Sequence, residues 1–400
     1  MITAIRQAGA LSKAEIARTT GLSGQAATVI VNALIEEGLL IKLKRVRGHV
    51  GKPFTPIALN PKGAFSVGVK IGRRSLETIL VNFHGNVIAS RTERYDAPLP
   101  VPTMTAAIKA SEELIKSVES RLQRRIVGLG VAMPWDLHEW SDVLGLQSTL
   151  LENWRNIDVV DQFESSTGLA VSLFNDATAA CAAEMIAGDR IRQRSAMYFF
   201  LGTFVGGGVV IEARLFRGDQ INAGAVGSMP MSGTDSEGRP SQLIHLSSAI
   251  ELERSLASAG IDVSDLFNFT PDDAAETIFE QWMHRMAPAL AHAIISATSV
   301  IDFQEVVIDG ILCPAWRKRI VETVSAECAK FNHAGLSPFE ISIGTIGPSA
   351  RVLGAALMPL MRRFSPDTDL LTKTGRTLRT PEAALTAEPQ SLSAAMSGQE

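Results

Sequence analysis

Leu173-Phe174-Asn175-Asp176-Ala177-Thr178-Ala179-Ala180-Cys181-Ala182-Ala183-Glu184 is the stretch whose reading decides the fold. It begins as a buried strand ending in Asn-Asp and continues as a helix of small residues. Asp176 is placed to cap the helix, because a carboxylate accepts the backbone N–H groups left free there. The alanines let another backbone come close. A carboxylate at the C-terminal end of a parallel strand also stands where open α/β sheets put their ligands. From these residues alone, a helix cap and a ligand-binding group are both open.

The chain has 400 residues, 46% hydrophobic and 20% charged, enough for two or three domains with a sizeable core. Cys181, Cys313 and Cys328 have no metal-like spacing, which fits a reducing compartment without a disulfide framework. Met1-Ile2-Thr3-Ala4-Ile5-Arg6-Gln7 holds no signal-peptide core. No uncharged run approaches the roughly 18 residues needed to span a bilayer. A cytoplasmic protein with no membrane partner is expected. Residues 1–62 hold nine Lys/Arg against three Glu, a balance of +6, which leaves −10 for the rest of a chain of net charge −4. A basic head on an acidic body points to a polyanion-binding module joined to something else.

Ser12 and Glu15 form a capping-box pair at the start of a short helix, Lys13–Thr19. Thr20-Gly21-Leu22 is a tight turn. Ser23 caps a second helix, 24–37, with Ala27, Ile30, Val31, Leu34 and Ile35 at helical spacing. This is the arrangement that lays a second helix in the DNA major groove. Two strands follow, 39–44 and 54–59, joined by the basic turn Arg45-Val46-Arg47-Gly48-His49-Val50-Gly51-Lys52-Pro53. The module reads as a winged helix-turn-helix. Its candidate DNA contacts are Lys13, Ser23, Gln25, Ala26, Thr28, Asn32, Arg45, Arg47 and Lys52. The second helix has no Lys or Arg, so phosphate attraction must come mainly from the wing, Lys13 and Arg18. Only Ile2–Ala8 is available for a preceding helix.

The body reads as alternating strands and helices. A strand at 64–71 runs into Gly72-Arg73-Arg74, and a strand at 196–201 into Gly202-Thr203-Phe204-Val205-Gly206-Gly207-Gly208, read as a Gly-rich turn. The recurrence implies two similar α/β halves with a cleft between them. The expected division is 1–62 for the DNA-binding head and 63–180 for the first lobe. The second lobe with dimerisation helices is 181–370, and 371–400 is a loosely ordered tail rich in Thr, Ala, Ser and Pro.

Taken together, these motifs resemble the repressor–open-reading-frame–kinase (ROK) family, which comprises sugar kinases and sugar-responsive repressors of the xylose and N-acetylglucosamine type. Three motifs carry the resemblance, which spans about residues 4–363. They are the winged helix with Leu22-Ser23 and Gly51-Lys52-Pro53, the segment Phe174-Asn175-Asp176-Ala177-x-x-Ala180, and Leu201-Gly202-Thr203-x-x-Gly206-Gly207-Gly208 followed by Arg217-Gly218 and Asn222-Ala223-Gly224-x-x-Gly227. The resemblance implies a two-lobed actin/hexokinase-like (ribonuclease H-like) α/β body. In the family's kinases the Asp of Asn-Asp is the catalytic base.

The departures from the family pattern bear on function. The kinase turn Asp-x-Gly-Gly-Thr, which holds ATP phosphates, reads Lys70-Ile71-Gly72-Arg73-Arg74. The sugar- and zinc-binding Gly-Glu-x-Gly-His reads Gly224-Ala225-Val226-Gly227-Ser228. The cysteine-rich zinc loop aligns with 235–244, where no Cys stands. No zinc, no cofactor and no catalytic residue are therefore expected. Ala132-Met133-Pro134 replaces the family's Pro-Gly-Pro, so a smaller, less polar sugar pocket is expected. Candidate effector-binding residues are Asn175, Asp176, Met133, Gly202, Thr203, Ser228 and His245. The expected function is a transcriptional regulator, a repressor of carbohydrate-related genes that pairs as a homodimer or higher oligomer on operator DNA and answers to a sugar-like effector. The alternatives are a sugar kinase with an accessory head, and a DNA-binding protein whose body only oligomerises.

Overall fold

A computed structural model describes residues 1–46, 54–135, 137–140, 147, 149–191, 195–234 and 238–365. The wing residues Arg47 and Lys52 and the tail 371–400 lie outside the described residues.

The head starts with α1 (Ile2–Ala8), the short helix that the sequence leaves room for, and β1 (Ala10–Leu11). In α2 (Lys13–Thr20), Ser12 Oγ accepts from the Glu15 amide and the Glu15 carboxylate from the Ser12 amide, so the capping box forms on both sides. Gly21 takes φ 68°, a left-handed turn that favours glycine. Ser23 then caps α3 (Gly24–Glu36). β2 (Leu40–Lys42) and β3 (Ile57–Leu59) are shorter than the expected wing strands and complete a three-stranded sheet of order β1-β3-β2. A bridge between Val46 and Phe54 continues their ladder toward the wing.

The first body sheet is built from β4 (Phe65–Ile71), β5 (Ser75–Asn82), β6 (Val87–Arg94), β7 (Ile126–Met133) and β8 (Val171–Asn175), in the order β6-β5-β4-β7-β8. The second is built from β9 (Ala196–Leu201), β10 (Val205–Ile211), β11 (Arg214–Phe216), β14 (Glu305–Gly310) and β15 (Glu340–Ile343), in the order β11-β10-β9-β14-β15. β12 (Pro230–Thr234) and β13 (Pro240–Gln242) form a separate hairpin. In each body sheet the first three strands are antiparallel and the last two run parallel to the first, so the two halves are topological copies.

On the first lobe, α4 (Pro100–Ser117), α5 (Ser120–Gln123), α6 (Thr149–Glu152) and α7 (Val159–Thr167) follow in chain order. Then α8 (Asp176–Ala187) leads into the second lobe, where α9 (Leu243–Ser247), α10 (Ile250–Ser258), α11 (Asp273–Val300) and α12 (Pro314–Cys328) lie. The chain's last described helix is α13 (Ala350–Phe364).

The two helices that leave the sheets cross over. α8 follows the first sheet but packs on β9 and β10 of the second, while α13 follows the second sheet and packs on β4, β5 and β7 of the first. Glycines make the crossing close. A Cβ at Gly354 would lie 1.7 Å from the Ala179 carbonyl oxygen, and one at Gly130 would lie 2.0 Å from that of Ala355. At Gly206 and Gly208 it would strike Ala177 and Cys181 of α8. This corrects the reading of Gly206-Gly207-Gly208 as a turn. All three lie inside β10, where the missing Cβ atoms of Gly206 and Gly208 let α8 approach the strand and that of Gly207 leaves room for Val226 and the Gly224 carbonyl.

Gly354→Ala and Gly130→Ala force a methyl group onto a backbone carbonyl that cannot rotate away. Each is expected to cost about 3 kcal/mol or more, read as a lower denaturant midpoint with unchanged slope. A loss below about 1 kcal/mol would contradict the backbone-to-backbone packing.

Candidate functional site

β8 ends at Asn175, opposite Met133 of β7. Asn175 Oδ1 accepts from the amides of Ala177 (3.0 Å) and Thr178 (3.4 Å), so the cap expected of Asp176 belongs to Asn175. Asp176 is the first residue of α8. One of its oxygens accepts from the Ala177 amide at 3.0 Å, and the other faces Arg351 Nη1 of α13 at 3.4 Å. Arg351 also lies over the Phe200 ring of β9, 4.8 Å from its centroid. It thus joins the helix crossing to the second sheet.

Asp176 and Asn175 form the floor of a cleft of about 230 Å³ between the lobes. Thr203 and Ser228 line it, as expected, together with Asn222, Trp135, Phe200 and Arg351, which sequence reasoning missed. The other expected residues fall elsewhere. Met133 is buried in the first-lobe core with Leu137 and Trp154, because strand alternation turns it away and hands the cleft wall to Pro134 and Trp135. His245 is exposed on α9, where the neighbouring Ile244 reaches the cleft. Gly202 is buried in the β9–β10 turn, outside the cleft lining, and its carbonyl accepts from the Ala249 amide at 3.0 Å.

A buried set of charges lies beside the cleft. Lys70 Nζ donates to Glu77 Oε1 and to Ser75 Oγ, each at 2.9 Å. Burial pulls the Lys70 ammonium below its ordinary range and Arg351 adds to this, while Glu77 and Asp176 oppose it. At Glu77, burial works to raise the carboxyl, but Lys70 and Arg351 outweigh it and hold the group below its ordinary value.

The β4–β5 turn is the second constellation. Arg73 crosses from the first lobe to the second, donating to Glu253 of α10 and from Nε to Thr203 Oγ1 at 3.3 Å. Arg74 lies 3.4 Å from the same carboxylate. Glu253 is buried and held between the two guanidinium groups. A larger cavity of about 660 Å³ opens on the other side of Arg73, lined by Lys70, Glu77, Tyr95 and Phe267 among others.

On the head, Gln25, Asn32 and Arg45 are exposed, and Ala26 and Thr28 are half-buried. Ser23 Oγ is taken up by the Ala26 amide, and Thr28 Oγ1 donates to the Gly24 carbonyl. Lys13 Nζ donates to Asn32 Oδ1 at 2.9 Å, tying α2 to α3. Val29, 64% exposed on the outer face of α3, is a feature that the reading of polar residues passed over. Among the described residues no group of three His, Cys, Asp or Glu could hold a metal ion, and no helix is long and apolar enough to cross a membrane. Asp235 and Glu237 lie outside the described residues.

A family model for ROK matches residues 66–361. The chain belongs to the ROK family. It is 26% identical over 358 residues to the uncharacterized protein y4fQ of Sinorhizobium fredii, covering 88% of each chain. It is 22% identical over 219 residues to the xylose repressor of Bacillus subtilis, with 55% of this chain and 56% of that one covered. With the regulator NagC of Escherichia coli it shares 24% identity over 228 residues, covering 56% and 54%. The chain thus spans about half the length of those two relatives. Among solved structures, it resembles a ROK family transcriptional regulator homologous to the E. coli MLC protein, with TM-score 0.63, 17% identity and coverage of 90% of this chain and 93% of the other. The ROK hexokinase of Thermus thermophilus gives TM-score 0.53 at 21% identity, covering 73% and 97%. These likenesses agree with the two-lobed ROK fold.

Glu77→Gln leaves Lys70 buried without its anion, and is expected to cost about 3 kcal/mol in chemical denaturation at pH 7. The Glu77 carboxyl is lowered in the fold from an ordinary value of 4.5. Its contribution is therefore fully present above that value and fades as pH falls through the lower, folded one. The gap between wild type and variant should narrow below pH 4.5. A gap that widens in acid would contradict the pair.

Proposed function

We propose that this ROK protein is a sequence-specific DNA-binding transcriptional regulator, a repressor of carbohydrate-related genes, that binds a sugar or sugar derivative in the interlobe cleft and works in the cytoplasm as a homodimer or higher oligomer. The observation that carries this reading is the fate of the β4–β5 turn. Family resemblance places ATP phosphates there, against bare backbone. Here Arg73 and Arg74 fill the turn, and Arg73 is spent on Glu253 and Thr203. A phosphoryl donor would have to break that bridge to enter. Asp176, the matching catalytic base, faces Arg351, so a guanidinium competes with any sugar hydroxyl for it.

The same cleft suits recognition without chemistry. Asn222, Asp176, Thr203 and Ser228 offer hydroxyl partners, and Trp135 and Phe200 give it apolar walls. The name of the xylose repressor supports a sugar effector. On the head, Gln25 is suited to an adenine edge, and the basic surface of residues 1–62 supplies the attraction to phosphate. A two-fold dimer would present two α3 helices to half-sites about one helical turn or a multiple of it apart.

One observation favours a second reading. Asn175 and Asp176 keep the kinase pattern at the end of β8, and the chain shares its fold with a ROK hexokinase. A coupled ADP-release assay over D-xylose, glucose, N-acetylglucosamine and N-acetylmannosamine separates the two. No turnover above background is expected. Turnover that Asp176→Asn abolishes would establish the kinase.

Footprinting on the DNA upstream of the protein's own gene should show two protected half-sites. Gln25→Ala should weaken that complex by about tenfold, while binding to unrelated DNA changes little. Absence of any protected site at moderate salt would refute the reading.

A further inference from the structure

The chain's last described helix joins the cleft to the head. Arg351, in the first turn of α13, faces Asp176 at 3.4 Å. Thirteen residues, or about 20 Å, further along, the helix ends inside the head's own packing. Leu357 and Leu360 share one buried cluster with Ile5, Ile16, Val31, Leu40 and Ile57 of the head. The Phe364 ring lies 4.6 Å from that of Phe83, over which Arg6 of α1 also sits at 5.2 Å. Just past the helix, Ser365 Oγ is 2.8 Å from Thr3 Oγ1.

We propose that α13 is the rod through which cleft occupancy is passed to the DNA-binding head, with Arg351 as the positioning residue that reads Asp176. The inference rests on the cleft being the effector site. A hydroxyl that hydrogen-bonds Asp176 competes with Arg351 for the carboxylate, and Arg351 must then settle elsewhere. Its second contact, the Phe200 ring, belongs to the second sheet, so a change in lobe closure reaches the same side chain.

The helix cannot absorb that change by sliding. Gly354 sits against the Ala179 carbonyl and Ala355 against Gly130, contacts with no room for a side chain. These contacts fix the middle of α13 against the body, and its far end, around and beyond Pro359, is packed into the head. The head's other attachment has a different character. Arg125 donates to the carbonyls of Glu37, Gly38 and Lys62, holding the C-terminal end of α3 to the first lobe at the β7 edge, away from the cleft. That contact offers a pivot, and α13 offers the lever.

The test is amide hydrogen exchange on the full-length protein. Without ligand, Arg351→Ala should speed exchange in residues 2–8 and 57–59 by about fivefold or more, and leave 273–300 unchanged. The exposed control Arg121→Ala should change neither. Head exchange unchanged in Arg351→Ala, while residues 175–178 change, would overturn the proposal. Uniform acceleration over the whole chain would also count against it, whereas Arg351→Lys, which keeps a cation facing Asp176, should return head exchange toward the wild-type rate. D-xylose and N-acetylglucosamine serve as probes in a second arm. A sugar that slows exchange at 175–178 should alter the head in wild type and not in Arg351→Ala. A head response that persists in the variant overturns the lever. If neither sugar slows 175–178, the sugar reading of the cleft loses its support, and the ligand-free arm still decides the coupling.

Discussion

A guanidinium cannot shed its charge, so an arginine drawn out of water must find an anion within reach. Arg73 is that case. Burial lowers its affinity for its proton, and Glu253 offsets part of that. The donor stands on a turn of the first lobe and the acceptor on α10 of the second, so the requirement of one side chain becomes a tie between lobes. Arg74 shares the acceptor and Thr203 takes the remaining direction. The bridge spans the two walls of the cleft, and the proposal that the cleft binds a ligand without transferring a phosphoryl group to it rests on that contact.

The rest of the architecture follows from a second constraint, that two helices cross at backbone distance. α8 packs on the second sheet and α13 on the first, and glycines at 130, 206, 208 and 354 leave the space. The crossing puts Asp176 and Arg351, 175 positions apart in the chain, into one ion pair at the cleft. It also carries α13 on to the head. Site and head are thus linked by the packing that makes the fold, and α13 belongs as much to the first lobe as to the second.

Much of this was legible beforehand because it rests on local signals. The capping box at Ser12 and Glu15, the turn at Gly21 and the apolar spacing of α3 each follow from a few neighbouring residues, and each is found. The repeat of a strand and a Gly-containing turn at 72 and 202 foretold two matching halves, and both sheets have the same strand order. The failures are tertiary. Glycine marks a turn when its φ freedom is used, but none of Gly206, Gly207 and Gly208 has positive φ; Gly206 and Gly208 serve the neighbouring helix, and Gly207 the close approach of Gly224 and Val226 on the other face. Asn175 and Asp176 are both capping residues, and only the register with Met133 decides which one caps. The family resemblance puts Met133 at the sugar side of the cleft, while the strand turns it into the core. Arg351 has no local signal at all. Its partner is set by where α13 lands.

The measurement closest to the central claim is calorimetric titration of the full-length protein with magnesium and a non-hydrolysable ATP analogue. If Arg73 holds the phosphate turn closed against Glu253, no saturable binding appears up to about 1 mM, a free energy of about −4 kcal/mol. Binding with a dissociation constant in the micromolar range would show that the turn still receives phosphates, and would contradict the account.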